Sequence, residues 1–285
     1  MSSILKNLVR RALAWCGYDI VEISGRDRAS SAENELARLE SLPDYSVCES
    51  DILGFKVTFP SNHIFSILYR EIFIKQCYAF RTKHEVPYVL DCGANVGLMS
   101  LFVKREYPNA EVIAFEPHPE TFKCVQQNFS NSGYDHLRVI EKGVWSSDTT
   151  LKLVEDKQST AASVVGNPLT DNPAEDSKPI DIAVTTLRPY LSKPVSMLKL
   201  DIEGAELEVL ESIEDLLPTV ENIFVECHSY AGKDQNLHKV LSILHDAGFR
   251  LYIGESGPTQ TMPLVQRRIY KGMDMFANIY GCRVP

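Results

Sequence analysis

Residues Tyr88–Phe129 read YVLDCGANVGLMSLFVKREYPNAEVIAFEPHPETFKCVQQNF, and their pattern decides the fold. A short apolar run ends in Asp91 and gives way to a glycine-punctuated turn, Cys92-Gly93-Ala94-Asn95-Val96-Gly97. Leu98, Leu101, Phe102 and Arg105 then recur at helical spacing until Pro108 closes the run. A second apolar run, Val112–Phe115, ends in Glu116 before Pro117. Strand, glycine loop, helix, strand and acid make the first βαβ unit of a nucleotide-binding sheet. Glu116 lies 25 residues beyond Asp91, the reach that such a unit needs.

Glycine lets the backbone approach a ligand closely. The loop feeds a helix N-terminus, whose free N–H groups favour a carboxylate or phosphate. An acid at the tip of the second strand can accept both hydroxyls of a ribose. A dinucleotide site has the spacing G-x-G-x-x-G, its middle glycine making room for a pyrophosphate. Here Asn95 stands at that middle place. Asp91 repels a pyrophosphate but suits a ligand with an ammonium and a sulfonium, and S-adenosylmethionine is such a ligand. The bland alternative, a βα turn with no ligand, leaves the matching acid on the second strand unexplained. Asp91, Gly93, Asn95, Gly97 and Glu116 are therefore expected to bind S-adenosylmethionine. Gly143-Val144, followed by Trp145-Ser146, comes after the third strand, Leu137–Lys142, where an adenine would lie. Gly143 and Val144 join the set, while Trp145 reads either as a stacking partner or as a core residue.

Two later stretches carry the chemistry. Met197–Leu200 reads as a strand buried on both faces, with Lys199 a charge inside it and Asp201 at its end on the same face. Glu203-Gly204 reads as the opening of the next helix, whose core stripe is Leu207, Leu210, Ile213 and Leu217. Ligands sit beyond the carboxyl ends of parallel strands, so Asp201 and Glu203 fall in the cofactor's neighbourhood. Glu206 reads as a complement to the helix dipole alone. In Glu221–Tyr230, ENIFVECHSY, alternation puts Phe224, Glu226 and His228 on one face and Ile223, Val225 and Cys227 on the other. If the two strands are neighbours, His228, Asp201 and Glu226 form a catalytic set. His228, with an ordinary pKa of about 6.5, is the candidate base. Asp201 and Glu226 would orient it, or all three would hold a hard divalent cation such as Mg²⁺. The spacing leaves base and metal both open, and a structural Glu226–His228 hydrogen bond is the alternative to either.

At four of these blocks, DCGANVG, FEPHPETF, LKLDIEGAELEVL and VECHS, the chain resembles the FkbM-type methyltransferases, in the family's order and from about Tyr45 onward. The closing segments GFRLYI and GMDMFANIYGCR resemble members associated with bacterial surface-polysaccharide biosynthesis. The resemblance implies a class I S-adenosylmethionine-dependent O-methyltransferase fold, with N-terminal elements capping the cofactor site and Ala277–Cys282 as an antiparallel seventh strand. It also points to a hydroxyl on a sugar or polysaccharide precursor as the acceptor.

The chain has 285 residues, 44% hydrophobic and 24% charged, which suits a soluble globular protein. A net charge of −9 with no basic face argues against a nucleic-acid substrate. Seven scattered cysteines without a C-x-x-C pair read as reduced thiols of a cytoplasmic protein. Residues 1–44 are expected to be an appendage. In it, Ile4–Trp15 is a basic amphipathic helix that rests on the inner membrane surface or packs on protein or a partner subunit. Ser30–Leu42 reads as a linker or short exposed helix. Residues 45–285 are the methyltransferase domain, opening with a hairpin over Tyr45–Pro60 and a helix over Ile64–Arg81. Leu151–Val154 and Ile182–Thr186 read as an inserted antiparallel pair. Between them Gln158–Lys178 is either a lid over the acceptor or a disordered insertion.

The expected architecture is a seven-stranded, mostly parallel α/β sheet with helices on both faces and an N-terminal helical cap. The expected activity is methyl transfer from S-adenosylmethionine to a small-molecule or glycan hydroxyl. An NAD-dependent oxidoreductase is disfavoured by the loop spacing. A non-catalytic scaffold is disfavoured by the intact Asp91, Glu116, Asp201 and His228.

Overall fold

The computed structural model describes residues 26–43, 46–155, 162–165, 179–255, 264–265, 269–270 and 272–283. The expected helix at Ile4–Trp15, most of the 158–178 segment and most of the Pro258–Arg268 loop lie outside these. The chain divides into two compact units, Met1–Arg38 and Leu39–Pro285. Helix α1 (Arg26–Glu40) fulfils the helical reading of Ser30–Leu42, and within the first unit Glu35 and Arg38 pair one turn apart. Among the described residues no helix is long and apolar enough to cross a membrane.

The second unit opens with the expected hairpin, β1 (Cys48–Ser50) against β2 (Val57–Phe59). Ser61 caps α2 (Asn62–Tyr69) by accepting the Ile64 N–H, and Phe65 stacks on Phe59. The helix expected to reach Arg81 stops early. It widens into one π-helical turn, Arg70–Ile74, and Gln76 then takes a left-handed backbone with φ 56°. Tyr69 and Phe73 stack, Phe73 meets Phe102 edge-on, and Tyr78 meets Phe224 edge-on. The apolar residues after Ile74 follow the surface of the sheet, not the period of a helix. A π-turn of this kind is common at functional sites.

The main sheet follows. Strand β3 (Tyr88–Cys92) leads into α3 (Leu98–Glu106), then β4 (Glu111–Phe115), α4 (Pro119–Ser132) and β5 (Leu137–Ile140). Gly97 at φ 86° starts α3, because a side chain there would meet the Phe129 ring. The short strand β6 (Gly143–Val144) leaves this sheet. It joins a smaller one with β7 (Thr149–Glu155), β8 (Ala162–Val165) and β9 (Ile180–Thr185), in the order β6-β9-β7-β8. The antiparallel β7–β9 pair was expected. Strand β8 was not, and it takes four residues of the segment read as a loop.

The chain then re-enters the main sheet through β10 (Met197–Leu200), α5 (Glu206–Ser212), β11 (Asn222–Tyr230), α6 (Leu237–Asp246), β12 (Arg250–Glu255) and β13 (Met273–Cys282). The seven strands lie in the order β12-β13-β11-β10-β3-β4-β5, with β13 antiparallel to both neighbours and the other pairs parallel. Alternation buries both faces. Leu90, Phe115, Leu198 and Val225 pack under α5 and α6, while Ala114 packs with Leu101, Val125 and Phe129 of α3 and α4. The order reverses between β3 and β10, so a crevice opens beyond their carboxyl ends, where such sheets bind ligands.

Candidate active site

The crevice is built on a close approach. Gly93 has φ 83°, and a Cβ there would lie 1.9 Å from the carbonyl oxygen of Asp201. The glycine loop and the end of β10 thus touch through bare backbone, and only glycine permits it.

Beneath the loop sits a buried charge network. Register places Lys199 beside Asp91 on one side and Phe224 on the other. The Lys199 ammonium donates to the Gly93 carbonyl at 2.8 Å and pairs with Asp91 at 3.5 Å and Asp201 at 3.3 Å. Burial works to lower its pKa, but the Asp201 and Asp91 carboxylates outweigh that and raise it above the ordinary lysine value. Asp91 accepts the Ser100 hydroxyl on Oδ2 at 2.7 Å, while its buried Oδ1 has no hydrogen-bond partner beyond the ion pair. Asp91 is fully buried, so it shapes the loop from below.

Glu116, at the tip of β4, is 6% exposed. One carboxylate oxygen accepts the Asn95 N–H at 2.8 Å and the other the His118 N–H at 3.0 Å. Burial pushes its pKa up to about 7, with the two N–H donors and Lys199 opposing. Asn95, with φ 53°, is held by this contact in the turn that a dinucleotide loop fills with glycine. Gly143 lies against Pro117, beside the same tip. Val144 turns its side chain into the core and leaves only its backbone towards that end. Trp145 packs on the Leu153–Ile182–Val184 cluster, which is the core reading.

The third group surrounds His228, whose side chain is 2% exposed. Its Nδ1 lies 3.0 Å from Glu206, and its Nε2 lies 3.5 Å from Glu226 and 3.7 Å from Glu203. Glu226 acts on Asp201 at close range, and Asp201 is held below the usual carboxylate range. Burial of Asp201 opposes that shift, but Lys199, His228 and Glu226 outweigh it. Asp201, Glu226 and His228 therefore do converge, as the alternation implied. The carboxylates around His228 favour its charged form. Burial lowers its pKa, yet Glu206, Glu203 and Glu226 raise it well above 6.5.

Glu203 and Gly204 do not open the helix. Both have positive φ, 55° and 100°, in a turn ahead of α5, where the Tyr230 hydroxyl donates to the Glu203 carbonyl. Glu206 exceeds its expected role as a dipole complement. It is buried, accepts the Ile202 and Gly204 N–H groups, and grips His228. Glu71 and Tyr78 also reach this region through the π-turn. Burial and Asp201 raise the Glu71 carboxyl, with Lys75 opposing, and Lys199 lies 5.8 Å from the Tyr78 ring centre. No local pattern marked either residue. The small cavity beside Glu206, Cys227 and His228 offers about 20 Å³, room for a water and not for an acceptor.

The strand order, with its reversed last strand and a glycine loop at the switch point, places the chain among the class I S-adenosylmethionine-dependent methyltransferases. Comparison with known proteins narrows this. The model of the methyltransferase FkbM domain matches residues 91–251, and the chain belongs to the FkbM methyltransferase family. The methyltransferase sdnD of Sordaria araneosa is 30% identical over 233 residues, covering 70% of this chain and 89% of that protein. The 31-O-demethyl-FK506 methyltransferase FkbM of Streptomyces tacrolimicus is 28% identical, covering 67% of this chain and 84% of its own. The hexuronic acid methyltransferase AglP of Haloferax volcanii is 28% identical, covering 53% of this chain and 60% of its own.

Proposed function

We propose that the chain transfers a methyl group from S-adenosylmethionine to a hydroxyl of a sugar or polysaccharide precursor. One observation carries the reading: Gly93 and Asp201 touch, so the cofactor loop and the carboxylate–imidazole cluster share a wall. The names of two relatives, a 31-O-demethyl-FK506 methyltransferase and a hexuronic acid methyltransferase, favour an oxygen acceptor and a sugar.

The donor set fits the cofactor. Each Glu116 oxygen takes one backbone N–H and keeps acceptor capacity for one ribose hydroxyl. Gly93, Asn95 and Gly97 present backbone at the start of α3, and Gly143 closes the adenine end. Bound S-adenosylmethionine supplies a methyl already activated on a sulfonium. What this chain must add is in-line positioning and a destination for one proton. Asp201, Glu203, Glu226 and His228 orient the hydroxyl, and their carboxylates lie where its proton leaves. Mg²⁺ is the cation whose preference for oxygen ligands they match. The direct test is incubation with methyl-labelled S-adenosylmethionine and a panel of nucleotide sugars and uronic acids. Label is expected on a sugar oxygen, and label found only on nitrogen acceptors overturns the assignment.

Glu116 yields a pH signature. Its folded pKa of about 7 exceeds the ordinary 4.5, so the protein favours the protonated acid. Its contribution to stability is full below pH 4.5 and lost as pH rises through about 7, a change of about 3 kcal/mol. Glu116→Gln should flatten that part of the stability–pH curve in urea melts. Cofactor affinity should run the other way and rise between about pH 5 and 8, because ribose hydroxyls donate to the carboxylate. Glu116→Ala should weaken binding by about 1.5–3 kcal/mol. Calorimetry finding the affinity unchanged removes Glu116 from the site.

A further inference from the structure

We infer that Asp201, Glu203 and His228 form a site for one divalent cation of the Mg²⁺ or Mn²⁺ type, which holds the acceptor hydroxyl against the cofactor loop. One ligand atom from each of the three lies within 4.8 Å of the others. The sequence grouped Glu226 with Asp201 and His228. The structure groups Glu203 with them instead, and Glu226 stands near the same ring nitrogen at 3.5 Å.

Distances around His228 leave room for an ion. Its buried Nε2 faces carboxylate oxygens at 3.5 and 3.7 Å. Charge-assisted hydrogen bonds close to about 2.7–2.9 Å. Cis ligands each about 2.1 Å from an octahedral cation stand about 3.0 Å apart, so a closure of Glu203 on Nε2 by less than about 1 Å would seat the ion. The ring is also aimed. Glu206 holds Nδ1 at 3.0 Å and is itself fixed by the Ile202 and Gly204 N–H groups. A carboxylate behind the imidazole is how metal-binding histidines are oriented.

Donor chemistry selects the ion. Carboxylate oxygens with one imidazole and no thiolate suit a hard or borderline cation, because Cys227 lies on the opposite face of β11. The site also opens outward. Glu203 is 27% exposed, so water or a hydroxyl can complete the coordination. With the cation bound, the acceptor O–H is polarised. Its proton passes to a cluster carboxylate and on to water, its oxygen bonds the methyl carbon, and the carbon–sulfur bond breaks to leave a thioether. The role of the ion rests on the proposed methyl transfer, but its binding does not.

The test is a titration of chelator-treated, desalted protein with Mn²⁺, followed by the loss of the free-ion paramagnetic resonance signal. One Mn²⁺ per chain is expected, displaced by Mg²⁺. Asp201→Asn and Glu203→Gln should abolish binding, and Glu206→Gln should weaken it about 10–100-fold. Glu208→Gln, on the exposed side of the same helix, should leave it unchanged. Circular dichroism and S-adenosylmethionine binding report whether each variant is folded. Absence of Mn²⁺ binding to the wild type overturns the site, as does equal binding by folded Asp201→Asn and Glu203→Gln. Undiminished methyl transfer in EDTA overturns the ion's role and leaves the methyltransferase reading standing. Failure to bind S-adenosylmethionine overturns that reading instead.

Discussion

Replacing Lys199 with methionine should cost about 3–5 kcal/mol of folding stability, the penalty for stranding a buried partner charge. The expected measurement is a large fall in the urea midpoint. Lys199 is 3% exposed and sits between Asp91, with no exposed surface, and Asp201. Without the ammonium, Asp91 keeps only the Ser100 hydroxyl, and the Gly93 carbonyl loses its donor. Cofactor affinity should fall too, because the loop is held from below. Adding Asp91→Asn and Asp201→Asn should recover much of the stability, since a buried network removed whole costs far less than one broken. The triple variant should remain inactive. An unchanged midpoint in Lys199→Met would show that the buried network carries no net weight.

His228→Ala is expected to lower the turnover rate by about 10²–10⁴, the range for losing a group that handles a proton or its carrier. S-adenosylmethionine affinity should stay within a factor of two or so, because the proposed cofactor contacts are Glu116 and the glycine loop. The variant empties the centre of a ring of carboxylates, Glu203, Glu206 and Glu226, that His228 now separates. Stopped assays at saturating cofactor read the effect as kcat. Full activity of His228→Ala would move the chemistry out of this cluster.

The framework was legible because its signals are local. Glycines at 93 and 97, the apolar runs beside them and Glu116 after the second run define strand, loop and acid within thirty residues. The alternation of ENIFVECHSY sufficed to put Glu226 and His228 on one face. What escaped depended on tertiary contact. Glu206 had an adequate local explanation at a helix start, while its partner His228 lies 22 residues on. Lys199 was visible as a charge in a buried strand, but the carbonyl and carboxylates that it joins come from two other segments. Gly143–Val144 is too short to announce a strand, and its pairing with Val184 and Thr185 is set by a sheet closed forty residues later. Glu71 and Tyr78 were hidden by a helical period that continues past the point where the backbone leaves the helix. The direction in which Glu206, Glu203 and Glu226 push His228 follows from their places in space, which no linear pattern supplies.

Cofactor identity is tested most directly by calorimetric titration of the wild type and of Glu116→Ala with S-adenosylmethionine and, separately, with NAD. One S-adenosylmethionine per chain is expected, with weaker binding in the variant and no heat with NAD. Saturable NAD binding with no S-adenosylmethionine binding would contradict that expectation.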